Sequence, residues 1–175
     1  MSELEQTWPD VLRRAAQGDA AAFGELVRQY DADLKRVCYV VTGDADSAQD
    51  AVQATWEIAW RKLRQIRDYG KIRRWLITVA VNEGRRIARS PRALPFSEDG
   101  VSSVMERDID LGNSLRRLHV SDRQLLSLTF VAGLTSAEAA PILGLTPAGV
   151  RTRKARIVMR LRNELETNND SVGRL

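Results

Sequence analysis

The chain has 175 residues, of which 43% are hydrophobic, and a net charge of +4. That length can bury the core of one compact domain or of two small ones. The sequence contains neither a run of about eighteen apolar residues nor a basic, apolar leader, so it predicts neither membrane insertion nor secretion, and we expect a cytoplasmic protein. One cysteine and one histidine cannot build a zinc site, and we expect no metal, cofactor or catalytic residue.

The charges are segregated along the chain. Residues 1–60 carry 5 basic and 11 acidic side chains, whereas residues 61–89 carry 10 basic and 2 acidic ones. Residues 91–112 are again acidic, and residues 147–163 hold 6 basic and no acidic side chains. Two basic blocks separated by an acidic spacer indicate two contact points on a polyanion. Two solvated helix faces would also account for either block alone.

Apolar residues recur at spacings of three and four throughout the chain, which predicts an all-α fold with no strand. A first helix is expected to begin near Pro9 and to end at Gly18. Asp19 then caps a long second helix that Gly43 terminates. Cys38 lies on the apolar face of that helix and is interpreted as a small core residue.

A third helix is predicted for about residues 46–63 and a fourth for about residues 72–89, with a short basic loop at 64–70 between them. We interpret Trp56, Trp60 and Trp75 as core residues rather than platforms for nucleic-acid bases. The third helix carries an apolar face: Ala48, Val52, Thr55, Trp56, Ala59, Trp60 and Leu63.

Residues 90–112 hold two prolines, two glycines and four serines without a sustained period, which is typical of a linker. The chain is therefore predicted to form two small helical domains, at 1–89 and 113–166, joined by this flexible linker. Residues 167–175 are expected to form a tail.

The second domain shows two successive helix starts. Ser121 and Gln124 have the spacing of a capping box before an apolar run, and Thr135 and Glu138 repeat that spacing. The helix that starts at Thr135 should end at Gly144. A helix, a short turn with glycine and a second helix form the helix-turn-helix plan, in which the second helix enters the major groove.

The last helix starts at Thr146 and Pro147 and is strongly basic. At about 100° per residue, one of its sides is apolar and the other is suited to reading DNA. That second side consists of Gly149, Thr152, Arg153, Arg156 and Arg160. Arg151 and Lys154 flank the apolar side and are better placed to contact phosphates.

The first domain carries a basic block of a different kind. Its loop and fourth helix combine arginines and lysines with aromatic residues, a combination that can hold a strand whose bases have left the duplex. The block comprises Arg64, Arg67, Tyr69, Lys71, Arg73, Arg74, Arg85, Arg86 and Arg89. The third helix presents Asp46, Gln49, Asp50, Gln53 and Glu57, a polar face that suits a protein partner, although a plain solvated face would look the same.

These residues resemble a known family. "GDADSAQDAVQATWEIAW" with "RRWLITVAVNEGRR" is similar to the promoter-melting region of bacterial sigma factors of the extracytoplasmic-function type. "SDRQLLSLTFVAGLTSAEAAPILGLTPAGVRTRKARI" is similar to their C-terminal promoter-binding domain. The resemblance covers about residues 10–165, in the order in which the family has them.

The resemblance implies a transcription initiation factor that is not an enzyme. It implies that Asp50 and Gln53 dock on the clamp helices of the largest subunit of core RNA polymerase, and that the polymerase flap is a further contact of the chain. Duplex promoter DNA would be read at the minus-thirty-five element by Arg153 and Arg156. The loop 64–71 and the helix containing Asn82 would open and hold the minus-ten element. An anti-sigma factor is a further partner compatible with the family.

The chain departs from the family at several positions. Gln49 and Ala54 replace usual acidic residues of the third helix, Thr78 and Val81 replace common arginines, and Arg86 replaces an aspartate. Gly84 is expected to loosen the fourth helix, which also contains Thr78, Val81 and Arg86.

Pro141 is the largest departure, because it falls inside the predicted helix that starts at Thr135. We therefore expect that helix to be short or bent. A helix-turn-helix regulator that binds only duplex DNA, and a helical adaptor that binds only proteins, remain the alternatives to a sigma factor.

Overall fold

The structure, a computed structural model, describes residues 3–66, 68–90, 115 and 117–172. Every regular element in these ranges is helical, which confirms the all-α prediction. The α-helices are α1 (Glu3–Ala16), α2 (Ala20–Thr42), α3 (Ala45–Lys62), α4 (Ile72–Ala88), α5 (Val120–Leu126), α6 (Ser136–Leu143) and α7 (Pro147–Val172). Two 3-10 turns, Leu63–Gln65 and Tyr69–Lys71, connect α3 to α4, and a π-helical turn, Ser127–Val131, continues α5.

The ends of α2 follow the sequence signals. The carboxylate of Asp19 accepts hydrogen bonds from the backbone N–H groups of Ala21 and Ala22, which satisfies two N-terminal donors that have no partner inside the helix. Gly43 ends the helix with φ of 86°, a left-handed conformation that favours glycine. The predicted cap and terminator of α2 are therefore confirmed.

Two predicted helix starts are wrong. Helix α1 begins at Glu3 and contains Pro9 in its interior. The proline costs one backbone hydrogen bond there, but the helix continues because Val11, Leu12 and Ala15 are buried in the core. Helix α5 begins before Ser121, because the ring nitrogen Nδ1 of His119 accepts the Ser121 backbone N–H and acts as the cap.

Helices α1 to α4 form the first group, in which α2, α3 and α4 pack against one another. The core includes the fully buried Leu34, Leu76 and Ile77. A Cβ at Gly84 would lie 3.1 Å from Val41 Cγ1, so this glycine allows close packing of α4 on α2 rather than loosening α4. Cys38 is completely buried, and burial raises the pKa of its thiol to about 12, in agreement with a core role.

The two tryptophans of α3 differ in their burial. Trp56 is partly buried and donates its indole N–H to Asp31 Oδ1 at 3.0 Å. Trp60, in contrast, is 46% exposed and meets Phe23 edge-on, with ring centroids 4.9 Å apart. The prediction that Trp60 is a core residue is wrong, because the indole lies at the edge of the apolar face of α3.

Helices α5 to α7 form the second group, and α5 packs against α2 and α4 of the first. Arg123 is buried at this seam. Its Nε donates to the carbonyl oxygen of Val41 at 2.9 Å, its Nη2 to that of Thr42 at 3.2 Å, and its Nη1 to that of Leu118 at 3.3 Å. Burial lowers the pKa of Arg123, whereas the nearby charge of Asp44 raises it.

Two further hydrogen bonds cross the seam. The hydroxyl of Ser127, which is fully buried, donates to the carbonyl oxygen of Val37 at 3.0 Å. Arg73 donates to the carbonyl oxygen of Ala132 at 3.0 Å and forms an ion pair with Asp33 at 3.3 Å. The predicted linker that precedes the second group lies outside the described residues, apart from Ser90.

The end of the second group differs from the expectation. Helix α7 continues to Val172 and so runs through the first residues of the stretch that was predicted to be a tail from residue 167.

Helix α6 has eight residues, as short as expected, and Pro141 does not interrupt it. Both hydrogen bonds of the predicted capping box are present, since Thr135 Oγ1 accepts from the Glu138 backbone and the Glu138 carboxylate accepts from the Thr135 backbone. Gly144 ends the helix with φ of 67°.

Replacing Arg123 with methionine should destabilise the fold, because the buried carbonyl groups of Val41, Thr42 and Leu118 would lose a hydrogen-bond donor. We expect the free energy of unfolding to fall by about 1–3 kcal/mol, measured by urea denaturation. Arg117→Ala is the matched control, since Arg117 is exposed and exposed substitutions usually stay within about 0.5 kcal/mol. Equal effects of the two changes would contradict the role of Arg123.

Replacing Pro141 with alanine should stabilise α6, because the new N–H can donate to the carbonyl group of Ala137 and the exposed ring contributes little packing. A proline in a helix interior costs about 3 kcal/mol, so we expect a higher melting temperature by circular dichroism. Exposed Ala137→Gly, also in α6, should lower the melting temperature. A loss of stability in Pro141→Ala would show that the proline is not a local defect.

Candidate nucleic-acid and polymerase interfaces

Helix α7 begins at the predicted cap. Thr146 Oγ1 accepts a hydrogen bond from the Gly149 backbone N–H at 3.0 Å, and Pro147 is the first helical residue. A Cβ at Gly149 would lie 3.2 Å from that same Oγ1. Gly149 therefore leaves room for the cap in addition to keeping this side of the helix open.

The two sides of α7 differ as the helical periodicity predicts. Val150 and Ile157 are buried against the rest of the second group, whereas Thr152, Arg156 and Arg160 are exposed. The exposed side borders a cleft of about 570 Å³ between α7 and the start of α5. The cleft is lined by Asp122, Leu145, Gly149, Thr152, Arg153, Arg156, Ile157 and Arg160.

Arg153 borders the cleft but is bound to the protein itself. Its Nε donates to Asp122 Oδ1 at 2.7 Å and its Nη2 donates to Ser121 Oγ at 2.5 Å. Its side chain is 30% exposed, and that of Asp122 is 12% exposed. Sequence reasoning missed Asp122 as part of this site, although a charged residue just ahead of the apolar run was an available signal.

Arg151 and Lys154, the two residues predicted to contact phosphates, differ in their surroundings. Arg151 is exposed on the surface of α7. Lys154 lies with its Nζ 5.2 Å from the centroid of the Phe130 ring, a cation–π contact. Phe130 is 59% exposed, so the ammonium group of Lys154 stays close to solvent.

Helix α4 presents a second basic face. At about 100° per residue, Arg74, Thr78, Asn82, Arg85 and Arg89 fall within one sector of this helix. The side chains of Arg74, Asn82, Arg85 and Arg89 are exposed, and the Thr78 hydroxyl donates to the carbonyl oxygen of Arg74 at 2.8 Å. This sector is called the α4 basic face below.

The loop ahead of α4 contributes three of the predicted site residues. Tyr69 is half-buried against the core. Lys71 is exposed and forms an ion pair with Asp68 at 2.6 Å, and the hydrogen bond from Lys71 lowers the pKa of the Asp68 carboxyl group. Arg67, the third, lies outside the described residues.

Arg86 lies apart from the α4 basic face. Its Nε forms an ion pair with Glu83 at 2.7 Å. The residue borders a cleft of about 400 Å³ between α3 and α4, called the α3–α4 cleft below, which is lined by Ser47, Asp50, Gln53, Ala54, Glu57, Arg86, Ile87 and Ser90. The structure thus brings Arg86 together with Asp50 and Gln53, the residues expected to dock on polymerase.

Comparisons with known proteins agree on one family. Residues 26–93 match the family described as Sigma-70 region 2. The RNA polymerase sigma factor NccH of Alcaligenes xylosoxydans xylosoxydans is 28% identical, over 89% of this chain and 93% of NccH. The ECF RNA polymerase sigma factor SigL of Mycobacterium tuberculosis is 30% identical, over 87% of this chain and 93% of SigL.

A solved structure resembles the whole fold. CnrH, an RNA polymerase sigma factor of Cupriavidus metallidurans, in complex with the cytosolic domain of CnrY, superposes with a TM-score of 0.70. The match has 26% sequence identity and covers 92% of this chain and 98% of CnrH.

The chain therefore belongs to the extracytoplasmic-function RNA polymerase sigma factors, which are transcription initiation factors. This membership favours a sigma factor over a regulator that binds only duplex DNA. None of the helices in the described ranges is long and apolar enough to cross a membrane.

Proposed function

We propose that this sigma factor uses three separate surfaces: the α3–α4 cleft for core RNA polymerase, the α4 basic face for the melted minus-ten element, and the exposed side of α7 for the minus-thirty-five element. The observation that carries the proposal is the distribution of charge over the described helices. The carboxylates of Asp50 and Glu57 line one wall of the cleft, whereas exposed arginines lie on the two helix faces.

The α3–α4 cleft has the chemistry of a protein-binding site. Asp50, Gln53 and Glu57 are exposed on one wall, and Gln53 Nε2 donates to Glu57 Oε1 at 3.4 Å. Ala54 and Ile87 add apolar surface to the same cleft. An apolar floor with polar groups at its edge is the usual arrangement at a protein interface, and the acidic wall suits a basic segment of the polymerase clamp.

The α4 basic face suits a single strand. Arg74 and Arg85 are exposed and can neutralise backbone phosphates, and Asn82 between them offers an amide to a base edge. Tyr69 and Lys71 lie just ahead of this helix, where an aromatic ring and a cation can hold an unpaired base.

The exposed side of α7 suits duplex DNA. Arg156 and Arg160 are exposed on the second helix of a helix-turn-helix, the element that enters the major groove. An arginine there can donate two hydrogen bonds to guanine, and Thr152 can contact a phosphate or a thymine methyl group. Arg151 and Lys154 would fix the register on the phosphate backbone.

We propose that the protein acts in the bacterial cytoplasm, where core polymerase is found, and we propose no enzymatic activity for it. CnrH was solved with the cytosolic domain of CnrY bound, and we include an anti-sigma factor among the partners of this chain. Such a protein would inhibit by covering the α3–α4 cleft or the exposed side of α7.

Run-off transcription tests the proposal. The chain, core polymerase and fragmented genomic DNA of its own bacterium are combined, and the 5′ ends of the transcripts are mapped. We expect a set of start sites that share minus-ten and minus-thirty-five sequences and that require the chain. Unchanged transcription with and without the chain would refute the proposal.

Changing Asp50 and Gln53 to alanine should weaken polymerase binding roughly 30-fold, because truncating a central interface residue costs about 2 kcal/mol. Titration of labelled core polymerase measures this change. Asp10→Ala is the control, since it removes the same charge from an exposed side chain of α1, a helix that does not line the cleft. Equal binding of both variants would place the polymerase interface elsewhere.

Changing Arg74 and Arg85 to alanine should impair promoter opening while polymerase binding stays intact. Permanganate reactivity of unpaired thymines in the minus-ten element should decrease, and the salt dependence of promoter binding should fall by about 0.7 per lost single-strand phosphate contact. Arg28→Ala, at an exposed site of α2, should leave both measurements unchanged. Normal thymine reactivity in the double variant would contradict this role for α4.

A further inference from the structure

Arg153 lies on the DNA-facing side of α7, but its guanidinium group is held by the first turn of α5. Asp122 Oδ1 accepts a hydrogen bond from Nε at 2.7 Å and lies 2.7 Å from Nη2 in the same ion pair. Ser121 Oγ accepts from Nη2 at 2.5 Å and lies 2.7 Å from His119 Nδ1. The arginine is therefore part of a network that begins at the cap of α5 and ends on α7.

These bonds determine what Arg153 can still offer to DNA. A guanidinium group has five N–H donors, one on Nε and two on each Nη. The hydrogen bonds to Asp122 and Ser121 use donors on Nε and Nη2, and the ion pair with Asp122 occupies the edge of the guanidinium group that these two nitrogen atoms share. Among the described residues Nη1 is the one nitrogen of this group without a protein partner, whereas the two parallel hydrogen bonds to guanine need donors on two adjacent nitrogen atoms.

Arg156 is in the opposite situation. It is exposed, and within the described part of the chain it makes no ion pair or hydrogen bond through its side chain. Both edges of its guanidinium group are therefore available to a base. Thr152 lies on one side of it along α7 and Arg160 on the other, and all three border the same cleft.

We infer that Arg153 is a positioning residue that fixes α7 on α5 through Asp122 and Ser121, and that Arg156 provides the bidentate base contact at the minus-thirty-five element. The inference rests on the proposed function of α7. It assigns different tasks to two arginines that the sequence presents as equivalent. Asp122 then contributes to promoter selectivity without touching DNA.

The test uses the full chain with core polymerase and a promoter found by the run-off experiment. Each base pair of its minus-thirty-five element is replaced in turn, and transcription is measured for the wild type and for Arg156→Ala, Arg153→Ala, Asp122→Ala and the double variant Asp122→Ala/Arg153→Ala. Melting curves identify a temperature at which every variant is folded, so that lost stability alone leaves the pattern of base preference unchanged.

Arg156→Ala should lose discrimination at one base pair, by about 5- to 150-fold, and keep it at the others. Arg153→Ala should weaken discrimination at all base pairs by a similar factor, because α7 loses its register as a unit. Asp122→Ala should reproduce that broad pattern, and the double variant should be no worse than either single change.

Three results would overturn the inference. One is a loss of discrimination at a single base pair in Arg153→Ala that Asp122→Ala does not reproduce, since Arg153 would then read a base directly. Another is an unchanged base-preference profile in both variants, since the Arg153–Asp122 pair would then contribute to the stability of the fold alone. A third is an additive double variant. Failure of the wild type to start transcription at any promoter would instead refute the proposed function.

Discussion

The C-terminal end of α2 is the point on which the arrangement of the whole molecule depends. A helix ends with carbonyl groups that have no partner inside the helix, and here those of Val41 and Thr42 are buried against α5. Arg123 donates to both, and its positive charge complements the negative end of the helix dipole. Burying a guanidinium group is costly unless its donors are bonded, so the pairing favours the arrangement in which α5 lies against the end of α2.

The arginines of the molecule have two different tasks, depending on whether their donors are bonded within the protein. Arg73, Arg123 and Arg153 donate to carbonyl or carboxylate groups of the protein and hold helices together. Arg74 and Arg156 are exposed on the outer faces of α4 and α7. A basic composition therefore overstates the surface available to nucleic acid, because part of the charge stabilises the scaffold that presents the rest. The same distinction puts Arg86 beside the acidic wall of the α3–α4 cleft rather than on the α4 basic face.

Structural features that depend on residues close together along the chain could be predicted from the sequence. The Asp19 cap, the left-handed glycines that end α2 and α6, and the capping box of Thr135 are formed as expected, since each depends on a few consecutive residues. Errors arose where distant contacts outweigh the local signal. Pro9 lies inside α1 because burial of that helix compensates for the lost hydrogen bond. Trp60 was wrongly predicted to be buried because helical periodicity does not indicate where an apolar face ends.

The sequence by itself determined the all-α class, the positions of most helices and the basic side of α7, because helical periodicity and capping are encoded over a few turns. Its motifs also indicated the sigma-factor family. Only the tertiary structure decided which charged groups are available, since Arg153 meets Asp122 and Arg123 meets Val41 across long stretches of chain. Whether an arginine can bind DNA depends on which acceptors surround it after folding, and periodicity carries no information about those acceptors.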